Sequence, residues 1–222
     1  MATVRTPRAA HQAVVLHDID WRAYQTIGRT LADRPGLRLT YDRGVLEIMT
    51  TSPEHERFKR LIDRLLTAWA EEMAMAMTCL GSMTFQRRRN QRGLEPDQCY
   101  WIAHEAQIRN KDRIDFRVDP PPDLVLEIDI SRSSLNRMAM YGQMGVPEVW
   151  RFRKGALVFL ARQADGAYTE APSSLSLPPL TAADLSPFLA LRRTADEIEI
   201  VRQFRAWIHQ KFPGGGATPP AP

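Results

Sequence analysis

Apolar residues alternate with acidic ones along 124–130: Leu124, Leu126, Ile128 and Ile130 fall on one side of an extended chain, and Val125, Glu127 and Asp129 on the other. Asp123 leads in on that second side. The pattern predicts a buried strand with three carboxylates, Asp123, Glu127 and Asp129, on a single face. Acids two residues apart on a strand repel when desolvated together, and a bound cation relieves the repulsion. Upstream, 37–41 and 45–49 read as a hairpin turned by Asp42-Arg43-Gly44, with the glycine supplying a positive φ. Ser52 and Pro53 have the chemistry of a helix start, and Phe58, Leu61, Ile62, Leu65, Trp69 and Met73 recur at helical spacing to about residue 76.

Further strands are predicted near 78–87 and at 98–102, then a short helix over 133–143 that Gly145-Val146-Pro147 ends. Two strands follow, at 148–152 and 156–161. The Ser- and Pro-rich stretch 172–187 reads as a loop, and Ile198, Val201, Phe204, Arg205 and Ile208 mark one stripe of a last helix over 195–210. These elements make an α+β domain: a mixed β-sheet core flanked by helices, with a β-hairpin near its N-terminus.

With 222 residues, 44% of them hydrophobic and 25% charged, the chain is long enough for one substantial core. The expected division is a mobile start over 1–12, a single domain over 13–211, and a disordered Pro- and Gly-rich tail over 212–222. No apolar run reaches membrane-spanning length and the start lacks a secretory pattern, so a cytoplasmic protein with no membrane contact is expected. Two cysteines and five histidines, without paired ligand spacing, argue against structural zinc, and Cys79 and Cys99 read as core thiols. A net charge of +4 permits an acidic partner such as nucleic acid without demanding one. Lys59, Lys111, Lys154 and Lys211 are the only lysines, and arginine supplies the rest of the positive charge.

Two acidic segments, Glu95-Pro96-Asp97 and Glu127-Ile128-Asp129, stand in the order helix, strand, acidic loop, acidic strand, helix, strand on which metal-dependent nucleases set their carboxylates. Around them run Gly44-Val45-Leu46-Glu47-Ile48-Met49, Ser52-Pro53-Glu54-His55, Gly81-Ser82-Met83-Thr84-Phe85, Pro121-Pro122-Asp123-Leu124-Val125-Leu126-Glu127, and Tyr141-Gly142-Gln143-Met144-Gly145-Val146-Pro147-Glu148-Val149-Trp150. In that order and spacing, from about residue 39 to 207, the sequence resembles the PD-(D/E)xK restriction-endonuclease-like superfamily, and within it the bacterial Uma family. The resemblance implies a restriction-endonuclease-like fold. It makes Asp97 the first metal-binding carboxylate and Glu127 the second, holding Mg²⁺ (or Mn²⁺) to polarise a phosphodiester and activate a water. The implied activity is endonucleolytic hydrolysis, with nucleic acid, DNA first, as partner and a homodimer as an option.

One position departs from the superfamily pattern. Where a lysine is expected two residues after the second acid stands Asp129, and the branch that moves the lysine onto the next helix, four residues before a tyrosine, has Arg137 here. Arginine keeps the charge but stays protonated, so it serves as a phosphate- or water-orienting cation and not as a base. Asp129 is either an auxiliary acid of the site or an acceptor for the 131–134 segment. His55 is a candidate proton shuttle or a plain first-turn residue, and Glu47 either approaches the site or is an exposed strand acid. The run Arg87-Arg88-Arg89-Asn90-Gln91-Arg92 would attract a polyanion, and Tyr100 and Trp101 are base-stacking or core residues. Two other classes stay open: a lapsed nuclease fold that binds nucleic acid or oligomerises, and a dimeric protein-interaction domain.

Overall fold

The computed structural model describes residues 13–31, 34, 36–87, 91–129 and 135–213. In chain order, β1 (Ala13–Leu16), α1 (Trp21–Leu31), β2 (Leu37–Asp42), β3 (Val45–Thr50) and α2 (Pro53–Glu72) lead into β4 (Thr78–Gly81), β5 (Phe85–Arg87), β6 (Arg92–Leu94) and β7 (Gln98–Trp101). A single helical turn, α3 (Glu105–Ile108), precedes β8 (Leu124–Asp129), α4 (Arg137–Met144), β9 (Glu148–Arg153), β10 (Ala156–Arg162), β11 (Tyr168–Glu170), α5 (Ala182–Ala190) and α6 (Glu197–Lys211). The strands form a five-stranded sheet, β1-β3-β2-β6-β5, and a six-stranded one, β11-β10-β9-β8-β7-β4. This is the mixed α+β, restriction-endonuclease-like architecture, and the one parallel pair among the described residues, β8 with β9, is joined through α4 as a βαβ unit.

Burial follows from the alternation in β8. Leu124, Leu126 and Ile128 join Phe58, Leu61 and Leu65 of α2 and Phe204 of α6 in one buried cluster. Val125 and Val149 point the other way, into a second cluster with Met140 and Tyr141 of α4 and with Phe85 and Leu94 of the smaller sheet. That second cluster ties the two sheets together under α4. Each such side chain stabilises the fold by roughly 1.5–3 kcal/mol when fully buried, so the strand that carries the acids is also among the best anchored.

Local chemistry fixes the ends of these elements. Ser52 caps α2 by accepting from the backbone N–H of His55, with Pro53 at the first helical position. The β2–β3 turn is two residues, and both Arg43 (φ 44°) and Gly44 (φ 94°) take positive φ, as the twist of a tight hairpin requires. Asn136 caps α4, and Gly145 ends it in the left-handed conformation at φ 83°.

Several elements differ from the sequence expectation. The 78–87 stretch is not one strand but two, β4 and β5, that belong to different sheets. The expected 172–187 loop gives way to α5, whose start is a capping box between Thr181 and Asp184; Pro187 lies inside the helix and masks its helical pattern. β1, α1, β6 and β11 had no predicted counterpart. Cys99 is buried but Cys79 is exposed, so only one of the two is a core thiol. Tyr100 and Trp101 are fully buried, their polar atoms donating to Asp63 and to the Pro120 carbonyl, which removes them as base-stacking residues. Among the described residues no helix is long and apolar enough to cross a membrane. The expected mobile start at 1–12 lies outside the described residues, as does all but Phe212 and Pro213 of the expected tail.

Helix α4 is seated by a close approach. A Cβ at Gly142 would stand 2.0 Å from the carbonyl oxygen of Gly166 in the β10–β11 connection. Gly142→Ala therefore has to displace backbone, and a loss of roughly 1–3 kcal/mol is expected by urea unfolding; a change within the range of a neutral surface substitution would mean that the two segments are not locked.

Candidate active site

β7 and β8 are antiparallel, with Gln98 paired to Leu126. Continuing that register by one residue sets Asp97 opposite Glu127, and the Ile128 N–H donates to Asp97 Oδ2 at 2.7 Å. The two candidate carboxylates, thirty residues apart in sequence, are thus cross-strand neighbours. Arg137 and Tyr141 stand four apart on α4, hence on one helical face, and both reach back to β8. Arg137 Nη2 donates to Glu127 Oε1 at 2.7 Å, and the Tyr141 hydroxyl donates to the same oxygen. Two further bonds hold the guanidinium, to Thr40 Oγ1 of β2 and to the Glu95 carbonyl, each at 2.7 Å.

Asp97 has its own cations. His55 Nε2 lies 3.0 Å and Arg38 Nε 3.5 Å from Asp97 Oδ1, while His55 Nδ1 meets Glu56 Oε1 at 3.2 Å. Burial disfavours the Asp97 carboxylate, but the hydrogen bond and charge of His55, the Ile128 N–H and the charge of Arg137 hold its pKa below the ordinary range. At His55 burial works against the imidazolium, and the hydrogen bond and charge of Asp97, with Glu56 on the other nitrogen, outweigh it and raise the pKa. Glu127 goes the other way: burial, with the negative charge of Asp97 adding to it, exceeds the pull of Arg137 and lifts its pKa above the usual value. Two adjoining carboxyls with opposed shifts result.

Asp129 follows Glu127 on the same face of β8. The parallel register sets Arg151 beside Glu127 and Arg153 beside Asp129, and both arginines pair with Asp129 Oδ2, Arg153 through Nε at 3.5 Å. The two candidate acids, Asp129, His55 and the arginines around them open onto one cavity of about 300 Å³. Among the described residues its charged lining is Arg38, Arg137, Arg151 and Arg153 against Asp97, Glu127 and Asp129, with His55 besides. The internal cations answer the carboxylate repulsion implied by the sequence, and they leave the wall net positive, which suits an anion. Arg137 keeps a buried Nε–H without a hydrogen-bond acceptor among the described residues, and the Arg38 Nε–H has no hydrogen bond beyond its 3.5 Å ion-pair contact with Asp97.

Magnesium takes oxygen ligands and is commonly held by one or two carboxylates, with water and substrate phosphate completing the shell. Asp97 and Glu127 fit that donor set. No group of three or more His, Cys, Asp or Glu side chains able to hold a metal occurs among the described residues, so an ion here would depend on substrate and water for its remaining ligands.

Other acids in the sequence are elsewhere. Asp123 precedes β8 and turns away, accepting from the backbone N–H groups of Ile102 and His104; it is a turn-stabilising residue, not the third acid of the face. Glu95 spends its carboxylate on Leu39 N–H and Thr84 Oγ1, leaving only its carbonyl near Arg137. Glu47 is buried, not an exposed strand acid, and is paired across strands with Thr40. Within the arginine run, Arg92 is paired with Asp42, while Arg88, Arg89 and Asn90 lie outside the described residues, as does 130–134, the alternative partner segment for Asp129. Nothing in the sequence reading pointed to Arg38, Thr40, Arg151 or Arg153 as site residues. For the last two, the signal was available: a strand written Arg-Phe-Arg puts both arginines on the face opposite a core phenylalanine.

A family model described as "Putative restriction endonuclease", Uma2, matches residues 21–196. No curated protein matches the chain.

Proposed function

The chain belongs to the Uma2 family of restriction-endonuclease-like proteins, and from that premise we propose that it is a Mg²⁺-dependent endonuclease, with Mn²⁺ as a substitute ion, that hydrolyses DNA backbone phosphodiesters in the cytoplasm. The observation that carries the proposal is the cross-strand pairing of Asp97 and Glu127 in a cavity whose wall is otherwise arginine-rich. A bound ion would supply positive charge to the phosphoryl oxygens and lower the pKa of the attacking water.

The protein's own groups do the positioning. Ile128 N–H and His55 fix the Asp97 carboxylate in one orientation and keep it ionised. Arg137, tied to Glu127, Thr40 and the Glu95 carbonyl, presents a fixed guanidinium to a phosphate oxygen and stays protonated throughout. With each ring nitrogen facing a carboxylate, His55 is a positioning residue for Asp97 rather than a proton shuttle.

A second reading is favoured by the same ion pairs: with both carboxylates already neutralised from within, the fold would bind nucleic acid without cutting it. Supercoiled plasmid incubated with Mg²⁺ or Mn²⁺, against an EDTA control, separates the two. Nicked and linear products that vanish with EDTA are expected. Intact plasmid that is nonetheless bound, with no calorimetric uptake of Mg²⁺, would establish the second reading instead.

A further inference from the structure

We propose that Arg151 and Arg153 form a second anion subsite at the mouth of the cavity, which grips the phosphate next to the one met by Asp97 and Glu127, and that Asp129 is the counterion that holds this pair in position. The subsite rests on the nucleic-acid reading above and adds residues to it that the catalytic assignment does not use.

Register and exposure carry the inference. Arg151 and Arg153 are alternate residues of β9, so both project to the face shared by Glu127 and Asp129 on β8. Side-chain exposure rises outward along that face: 9% at Glu127, 16% at Asp129, 31% at Arg151 and 42% at Arg153. The arginine heads are thus the more solvent-accessible charged groups beside the acids in the same cavity lining. Both heads meet at Asp129 Oδ2, so the pair converges on one position, as a grip on a single phosphate requires.

Charge makes the same point. Among the described residues Asp129 is the sole carboxylate paired with either arginine, so two guanidiniums share one acid. One positive charge remains over, on groups whose forked donors match tetrahedral oxyanions. An aspartate where the superfamily has a lysine then has a physical reason: the cation comes from the neighbouring strand, and the acid orients it.

The test is the salt dependence of binding to a labelled single-stranded 12-mer DNA, read by fluorescence anisotropy on the full chain in EDTA, so that no cleavage intervenes. Each phosphate contact on a single strand contributes about 0.7 to the slope of log K against log salt. Arg151→Gln/Arg153→Gln is expected to bind more weakly and to flatten the slope by about 0.7, the share of the one phosphate the pair grips, while Arg151→Lys/Arg153→Lys keeps it and controls for folding. Asp129→Asn is expected to tighten binding, because it releases both arginines from their internal partner; that gain should disappear when Arg151→Gln/Arg153→Gln is added, whereas plain relief of repulsion between an acid and the polyanion would survive the addition. If the wild type binds and the glutamine double variant has the same slope, the subsite is wrong while the nuclease reading stands. Weaker binding by Asp129→Asn overturns its counterion role. Should the wild type bind no DNA, the subsite falls, and the plasmid assay decides the nuclease reading on its own.

Discussion

Asp97→Asn and Glu127→Gln are each expected to lower Mg²⁺-dependent plasmid cleavage by about 10²–10³-fold, the usual cost of removing one preorganised electrostatic group from a reaction centre. Both substitutions are isosteric, so the loss is attributable to charge. In Asp97→Asn the amide oxygen still accepts from the Ile128 N–H, but His55 and Arg38 lose the anion they face, and a hard cation loses a full negative charge. Glu127→Gln retains an acceptor for Arg137 and Tyr141 while halving the charge offered to the ion, so the Mg²⁺ concentration for half-maximal cleavage should rise as well. Circular dichroism of both variants separates this from unfolding. Cleavage at wild-type rate by both, in folded protein, would sink the assignment of these acids.

The two acids were reached by different routes, Glu127 through a local alternation and Asp97 through the family resemblance that Glu95-Pro96-Asp97 helps to carry. Alternation along 124–129 is a period-two signal that survives although β8 is buried on both faces, because one face meets the apolar core and the other the acid-lined cavity, and it put Glu127 and Asp129 opposite Leu126 and Ile128. That pattern over-extended by one residue at Asp123, because it cannot tell where pairing begins; the acid just outside the strand serves the 102–104 turn instead. Arg137 was legible only through the family resemblance, whose branch sets the cation four residues before a tyrosine, here Tyr141. What surrounds these groups was not legible, since Arg38 and Thr40 come from the other sheet and Arg151 and Arg153 from the next strand. No spacing in one dimension encodes which side chains meet across strands, and here such meetings decide the electrostatics. Short elements failed for a different reason: β1, β6 and β11 have three or four residues, too few for a period to stand out, and are made by pairing with longer strands.

Arg137→Met is expected to destabilise the protein in EDTA by about 3–5 kcal/mol, because it removes one member of a buried ion pair and leaves the other without a counterion. Side-chain exposures of 10% for Arg137 and 9% for Glu127 mean that water screens little of this. The guanidinium also bridges the two sheets, through Thr40 of β2 and the Glu95 carbonyl that leads into β7, so its loss unties the smaller sheet from β8. Glu127→Leu/Arg137→Met should recover much of the stability, since an apolar pair of similar volume carries no desolvation cost. Magnesium provides the link to function. If Asp97 and Glu127 hold the ion, its charge substitutes for the missing guanidinium, and Mg²⁺ at 100 times its dissociation constant adds about 2.7 kcal/mol to Arg137→Met. The wild type, whose Arg137 competes for the same carboxylate, should gain less at the same concentration. Urea unfolding of wild type, single and double variants with and without Mg²⁺ reads all three effects. Equal stabilisation of wild type and Arg137→Met by the ion would mean that Mg²⁺ and Arg137 do not share Glu127.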